Sequence, residues 1–173
     1  MKILILLSLL LYFPCVALAQ NTKVKIYLGN SEKNLQTEDC GKVFVVTRNV
    51  SKTKAVAKAA LVELFKGVTD EEKAKSYESV FSNESASILK GLNIRNDSAY
   101  VNFSDNIQTS VSSASASCAR DTFFAQVEKT LKQFPKIKKV FYAIEGKPAD
   151  FYDWIGIGEC PKELGKCSGK NFK

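Results

Sequence analysis

Apolar residues recur along this chain with two periods, and the switches between them mark out its elements. Val24-Lys25-Ile26-Tyr27-Leu28 alternates as a strand does, and Gly29-Asn30 ends the run. Ser31 to Asp39 is polar and reads as a loop. Val43-Phe44-Val45-Val46 is a continuous run of strand formers, the pattern of a strand buried on both faces. From about Thr53 to Lys66 the period becomes helical, with Ala57, Ala60, Leu61, Leu64 and Phe65 on one stripe. Thr53 or Ser51 suits the start of this helix, and Gly67 suits the left-handed residue that closes it.

Thr69 to Ser87 is polar, with Tyr77, Val80 and Phe81 as isolated anchors, and reads as a short helical turn and a loop. Ile88 to Arg95 and Ala99 to Phe103 are strand candidates. Asn96-Asp97 lies between them, and both residue types tolerate positive φ, so a tight hairpin is expected. In its second strand Ala99, Val101 and Phe103 face one way, and Tyr100 and Asn102 the other. Ser110 to Ser117 is Ser-rich and suits a loop and helix start. The helix that follows carries Phe124, Val127, Leu131 and Phe134 on one face, and Pro135 stops it. Ile137 to Ile144 is the last strand, ended by Gly146-Lys147-Pro148. The order β-β-α-β-β-α-β predicts an α+β fold: a mixed β-sheet of about five strands with two main helices packed on one face.

The N-terminus precedes all of these elements. Lys2, the apolar run Ile3 to Val16 and the small-x-small Ala17-Leu18-Ala19 have the layout of a secretory signal peptide over residues 1–19. The run is shorter than the ~20 residues a spanning helix needs, and Pro14 interrupts it. Lipidation of Cys15 is the rival reading, although a lipoprotein signal wants a small residue where Pro14 stands. The expected product is an exported protein found in the periplasm, on the cell surface or secreted, with no transmembrane segment in the mature chain. Its parts are a domain over residues 20–150 and a C-terminal tail over residues 151–173.

Lys and Arg number 25 against 18 Asp and Glu, a formal net charge of +7. The excess is spread among acidic residues, and Arg48, Arg95 and Arg120 are the only arginines. Nucleic-acid binders more often cluster arginines with aromatics on one face, so no nucleic-acid partner is expected. A Lys-rich surface suits attraction to an anionic cell-wall polymer. Cys40, Cys118, Cys160 and Cys167 remain after export, an even number that suggests two disulfides in one of three pairings.

The chain has no His, which removes Ser-His-Asp and Cys-His catalysis and His-ligated zinc. It has no CxxC pair and no Gly-rich phosphate loop, so neither metal nor cofactor is expected. Glu63, Asp105, Asp121 and Glu145 are acids of the kind glycosidases pair, but surface charge accounts for them. Phe151-Tyr152-Asp153-Trp154 has two readings. Phe151, Tyr152 and Trp154 form a contact surface for a sugar ring or a protein, or the segment packs back over the sheet.

Several motifs, in order, resemble the GerMN domain of sporulation and spore germination proteins. Val24 to Asn30 resembles its opening strand, and Ala59 to Thr69 its Leu-rich helix end, with Val68 where Pro is usual. Ala99-Tyr100-Val101-Asn102-Phe103-Ser104 resembles the A-x-V-D-F-S strand, with Asn102 in place of Asp. Thr130 to Pro135 followed by Val140 resembles the T-L-x-Q-F-P-x-V segment. Asp39-Cys40 and Ser117-Cys118 resemble a cysteine pair of some single-domain members, which implies Cys40–Cys118 and leaves Cys160–Cys167. The resemblance implies a non-catalytic envelope domain related to ring-building folds. Its expected work is assembly with an envelope protein or with itself, with glycan or peptidoglycan binding as the alternative.

Overall fold

A computed structural model describes residues 21–34 and 39–173. The expected signal segment 1–19, Cys15 included, lies outside the described residues. The fold is α+β, with two three-stranded sheets.

The first sheet has β1 (Asn21–Asn30) at its centre. β2 (Phe44–Ser51) pairs antiparallel on one side, and the two-residue β3 (Tyr77–Glu78) touches Gly29 and Asn30 on the other. The second sheet has β5 (Ser98–Phe103) at its centre, antiparallel to β4 (Leu89–Arg95) and parallel to β6 (Lys139–Ile144). Asn96 and Asp97 have φ of 44° and 63°, so the β4–β5 hairpin is the expected two-residue turn.

The five long strands are therefore divided between two sheets, where one mixed sheet was expected. The reason lies in α4 (Ser117–Lys132), which runs along the side of β1 where a further strand would pair. Its side chains replace strand hydrogen bonds. The Tyr27 N–H donates to Thr130 Oγ1 at 3.1 Å, and Gln133 Nε2 donates to the Lys25 carbonyl at 2.7 Å. Gln126, wholly buried, accepts from Ser79 Oγ at 2.8 Å and donates to the Glu78 carbonyl at 3.3 Å. Gln126, Thr130 and Gln133 are four and three residues apart, hence on one helix face.

The expected buried strand at Val43–Val46 is corrected. β2 is an outer strand whose residues alternate between half-buried and exposed, and Val45 is 49% exposed. Phe44, Val46 and Val50 face inward, and Val45 continues the apolar run on the solvent side.

α1 (Val56–Phe65) buries Ala60, Leu61, Leu64 and Phe65, the expected stripe. Gly67, at φ +73°, closes it. A Cβ there would meet the Phe81 carbonyl oxygen at 2.4 Å, so only glycine fits. Within Thr69–Ser87, Thr69 and Glu72 form a capping box on the one-turn α2 (Asp70–Lys73). α3 (Ile107–Ser110) is likewise a single turn.

One aromatic core joins the layers. Phe103 of β5 lies 5.7 Å from Phe65, 6.1 Å from Phe123 and 6.3 Å from Tyr142. These spacings are those of favourable aromatic pairs.

Candidate functional site

The residues read as a contact surface lie in α5 (Pro148–Trp154), a helix the strand-ending reading of Gly146-Lys147-Pro148 missed. Pro148 at the first helical position was the available signal, since proline favours that position. α5 packs along β6. Phe151 is fully buried, its ring 4.9 Å from Tyr142 and 5.8 Å from Phe103. Tyr152 is 4% exposed. Trp154 is half-buried, 5.7 Å from Phe151 and 6.3 Å from Phe123. The contact-surface reading of Phe151 and Tyr152 is thus corrected to packing, because a buried ring cannot stack on a ligand. Burial raises both the Tyr142 and Tyr152 hydroxyl pKa values. Tyr142 is the single buried side chain among the described residues whose polar atom has no hydrogen-bond partner.

The remainder of the tail covers the opposite face of the second sheet. The Phe172 ring meets Tyr100 edge-on at 5.4 Å. Asn93 Nδ2 donates to the Asn171 carbonyl at 2.9 Å, and Asn102 Nδ2 donates to the Phe172 carbonyl at 3.2 Å. Asn102 Oδ1 also accepts from the Gly146 N–H at 2.7 Å. The face carrying Tyr100 and Asn102 is therefore lined by chain from residues 171 and 172.

The four cysteines form two bonds, Cys40–Cys118 and Cys160–Cys167, with Cα separations of 5.2 and 5.6 Å. Thr122 Oγ1 donates toward the carbonyls of Cys40 and Cys118 at 2.8 and 3.0 Å. This fixes the chain before β2 to the first turn of α4. Among the described residues no group of three or more His, Cys, Asp and Glu stands together to hold a metal.

Arg48 is a highly connected cation. It reaches from β2 across α1 and α2, donating to the carbonyls of Glu63 and Gly67 at 2.5 Å each and to both oxygens of Glu72 at 3.0 and 2.5 Å. Burial pushes the Glu72 carboxyl up, but the Arg48 and Thr69 bonds together outweigh it and the net shift is downward. Among the described residues the other two shifted carboxylates are also tied to cations: Lys90 holds Glu145 down, and a backbone bond followed by Lys139 holds Glu163 down. Each of the three is held in its charged form, the opposite of a raised-pKa general acid.

Two open grooves flank α1. One, of about 330 Å³, lies beside Val50 and is lined by Ala59 and Val62. The other, of about 520 Å³, is floored by Val56, Ile94, Phe134 and Ile137, with Lys54 and Lys136 at its rim.

The outer edge of β2 is the remaining surface feature. Lys25 and Tyr27 direct their backbone groups at α4, so the alternate residues Val24, Ile26 and Leu28 bond to Arg48, Val46 and Phe44. The backbone groups of Val45, Thr47 and Asn49 therefore point away from the sheet. Among the described residues nothing pairs with them.

Residues 11–150 match the family described as sporulation and spore germination. No curated protein matches the chain. Among solved structures, the first GerMN domain of the sporulation protein GerM from Bacillus subtilis is similar at 20% identity, with 72% of this chain and 84% of that chain covered and a TM-score of 0.51. The tandem GerMN domains of the same protein are similar at 18% identity over 75% of this chain and 40% of that chain, with a TM-score of 0.48. The family match ends within α5, and the tail that lines the second sheet lies beyond it. By its sequence over residues 11–150 the chain belongs to the GerMN family of sporulation and spore germination domains.

Proposed function

We propose that this is a non-catalytic extracytoplasmic envelope protein that acts by protein–protein assembly or binding. The observation that carries this reading is the outer edge of β2, a row of backbone groups unpaired among the described residues. A sheet edge of that kind accepts another strand. The ionisable groups point the same way: the shifted carboxylates serve ion pairs, and the shifted tyrosines are buried. Two disulfides in one small domain support an oxidising compartment.

Crosslinking in intact cells followed by mass spectrometry tests the reading. Crosslinks from residues flanking β2 to an envelope protein, or to another copy of the chain, are the expected result. Reproducible hydrolysis of peptidoglycan, peptide or phosphate ester by the purified protein, lost on changing one carboxylate with the fold intact, would overturn it. Recovery from the cytoplasm with all four cysteines reduced would overturn the compartment.

A further inference from the structure

Edge strands in natural proteins are usually shielded by Lys, Pro, a bulge or a covering segment. From Phe44 to Ser51 there is no Lys, no Pro and no acid, and the pairing with β1 runs without a bulge. The single charge, Arg48, turns inward and is bound to Glu72. Val45, Thr47 and Asn49 are exposed, with their backbone groups free among the described residues.

We infer that β2 pairs antiparallel with β2 of a second copy, across a two-fold axis at Thr47. This deepens the contact reading above and rests on it. The outward-facing residues are symmetric about Thr47, so that register lets all three exchange hydrogen bonds. It sets Thr47 opposite Thr47 and Val45 opposite Asn49 on the solvent face. On the other face Phe44 of one copy stands opposite Val50 of the other. Thr–Thr and aromatic–β-branched neighbours are among the favourable cross-strand pairs. Val50 borders the groove lined by Ala59 and Val62, so the incoming Phe44, whose ring carries Lys33 and Lys42 of its own copy at 5.6 and 5.8 Å, stands at the mouth of that groove. The two first sheets become one continuous sheet across the axis.

Charge sets the conditions. Each copy is net basic, with a formal charge of +7 over the whole sequence. Like charges oppose association, and salt screens them. Self-pairing therefore strengthens as salt rises, whereas an acidic partner would be released by it. An eight-residue edge is small beside a standard interface, so the dimer is weak and reversible.

Sedimentation velocity and amide hydrogen exchange on the purified disulfide-bonded protein, across a range of concentration and salt, test this. The expected result is a dimer fraction that grows with both. The amides of Val45, Thr47 and Asn49 should become protected as it grows. Thr47→Lys and Val45→Lys each should weaken association at least tenfold while melting like the parent, since both sites are exposed. A protein that stays monomeric at every concentration and salt overturns self-pairing. So does a dimer in which those three amides still exchange freely, or one that both lysine variants leave intact. If the monomer nonetheless crosslinks to an envelope protein through β2 in cells, self-pairing fails and the contact reading stands.

Discussion

The side chain of Asn102 holds two distant parts of the chain at once: its amide donates to the Phe172 carbonyl, and its oxygen accepts from the Gly146 N–H. The A-x-V-D-F-S pattern that this strand resembles has Asp at the position of Asn102. A carboxylate there keeps the bond from Gly146 but sets its other oxygen against the Phe172 carbonyl. The tail thus supplies a physical reason for an amide at residue 102.

Asn102→Asp should cost about 1–3 kcal/mol, the range for a buried polar group left facing the wrong partner. The loss should shrink in acid, where a protonated carboxyl donates again. Denaturant melts at neutral and low pH, with hydrogen exchange in the tail, measure this. An unchanged melt at neutral pH would show that the tail does not depend on residue 102.

Arg48→Met should be more damaging, because it leaves Glu72 buried without its cation and frees two carbonyls. Breaking one side of a buried ion pair costs about 3–5 kcal/mol, and partial solvent access at Glu72 sets the lower end as the expectation. The Glu72 carboxyl is depressed in the fold, so its contribution is fully present above the ordinary value of 4.5. It is lost as pH falls through the lower folded value. Arg48→Met should flatten that acid limb of the stability profile. A variant that keeps the parent's acid slope would place the linkage elsewhere.

The two disulfides should differ in worth. Their closed loops have sequence separations of 78 and 7. Loop-closure entropy gives about 4–5 kcal/mol for the long loop and about 2–3 for the short one. Cys40→Ser with Cys118→Ser should therefore lower stability more than Cys160→Ser with Cys167→Ser. Hydrogen exchange should show the second pair loosening mainly the tail. Equal losses would mean that the tail is as central to the fold as the β2–α4 tie.

Tyr152→Ala and Trp154→Ala should each lower the melting temperature, and Tyr152→Ala the more so. Truncating a buried aromatic costs about 3–5 kcal/mol, and Trp154 is only half-buried. Thermal melts check this. A Tyr152→Ala protein that melts like the parent while losing a binding partner would restore the contact-surface reading of α5.

Periodicity alone located the long elements. The α1 stripe of Leu61, Leu64 and Phe65 and the Asn96-Asp97 turn stand where the pattern placed them. What it missed depends on distant partners. Gln126 and Thr130 look like surface residues of a helix, yet both are fully buried against β1 and β3. Nothing local tells a polar residue that faces a strand edge from one that faces water. The apolar run Val43–Val46 cannot by itself separate a strand buried on both faces from an edge strand with Val45 in solvent. The capping box of Thr69 and Glu72 was readable, since Thr-x-x-Glu is its signature.

The hydrogen bonds from α4 to β1 join residues 103 and 108 positions apart. A chain that emerges N-terminus first presents β1 long before Thr130 or Gln133. During that interval β1 can find β2, but its other side has only water or a stray strand to bond. The hairpin of the second sheet closes early from neighbours, while the first sheet waits for the last third of synthesis. Contacts that span so much chain fold slowly and leave edges open to mispairing. The newborn chain is therefore most exposed to error along β1, the strand that ends at the centre of the finished sheet.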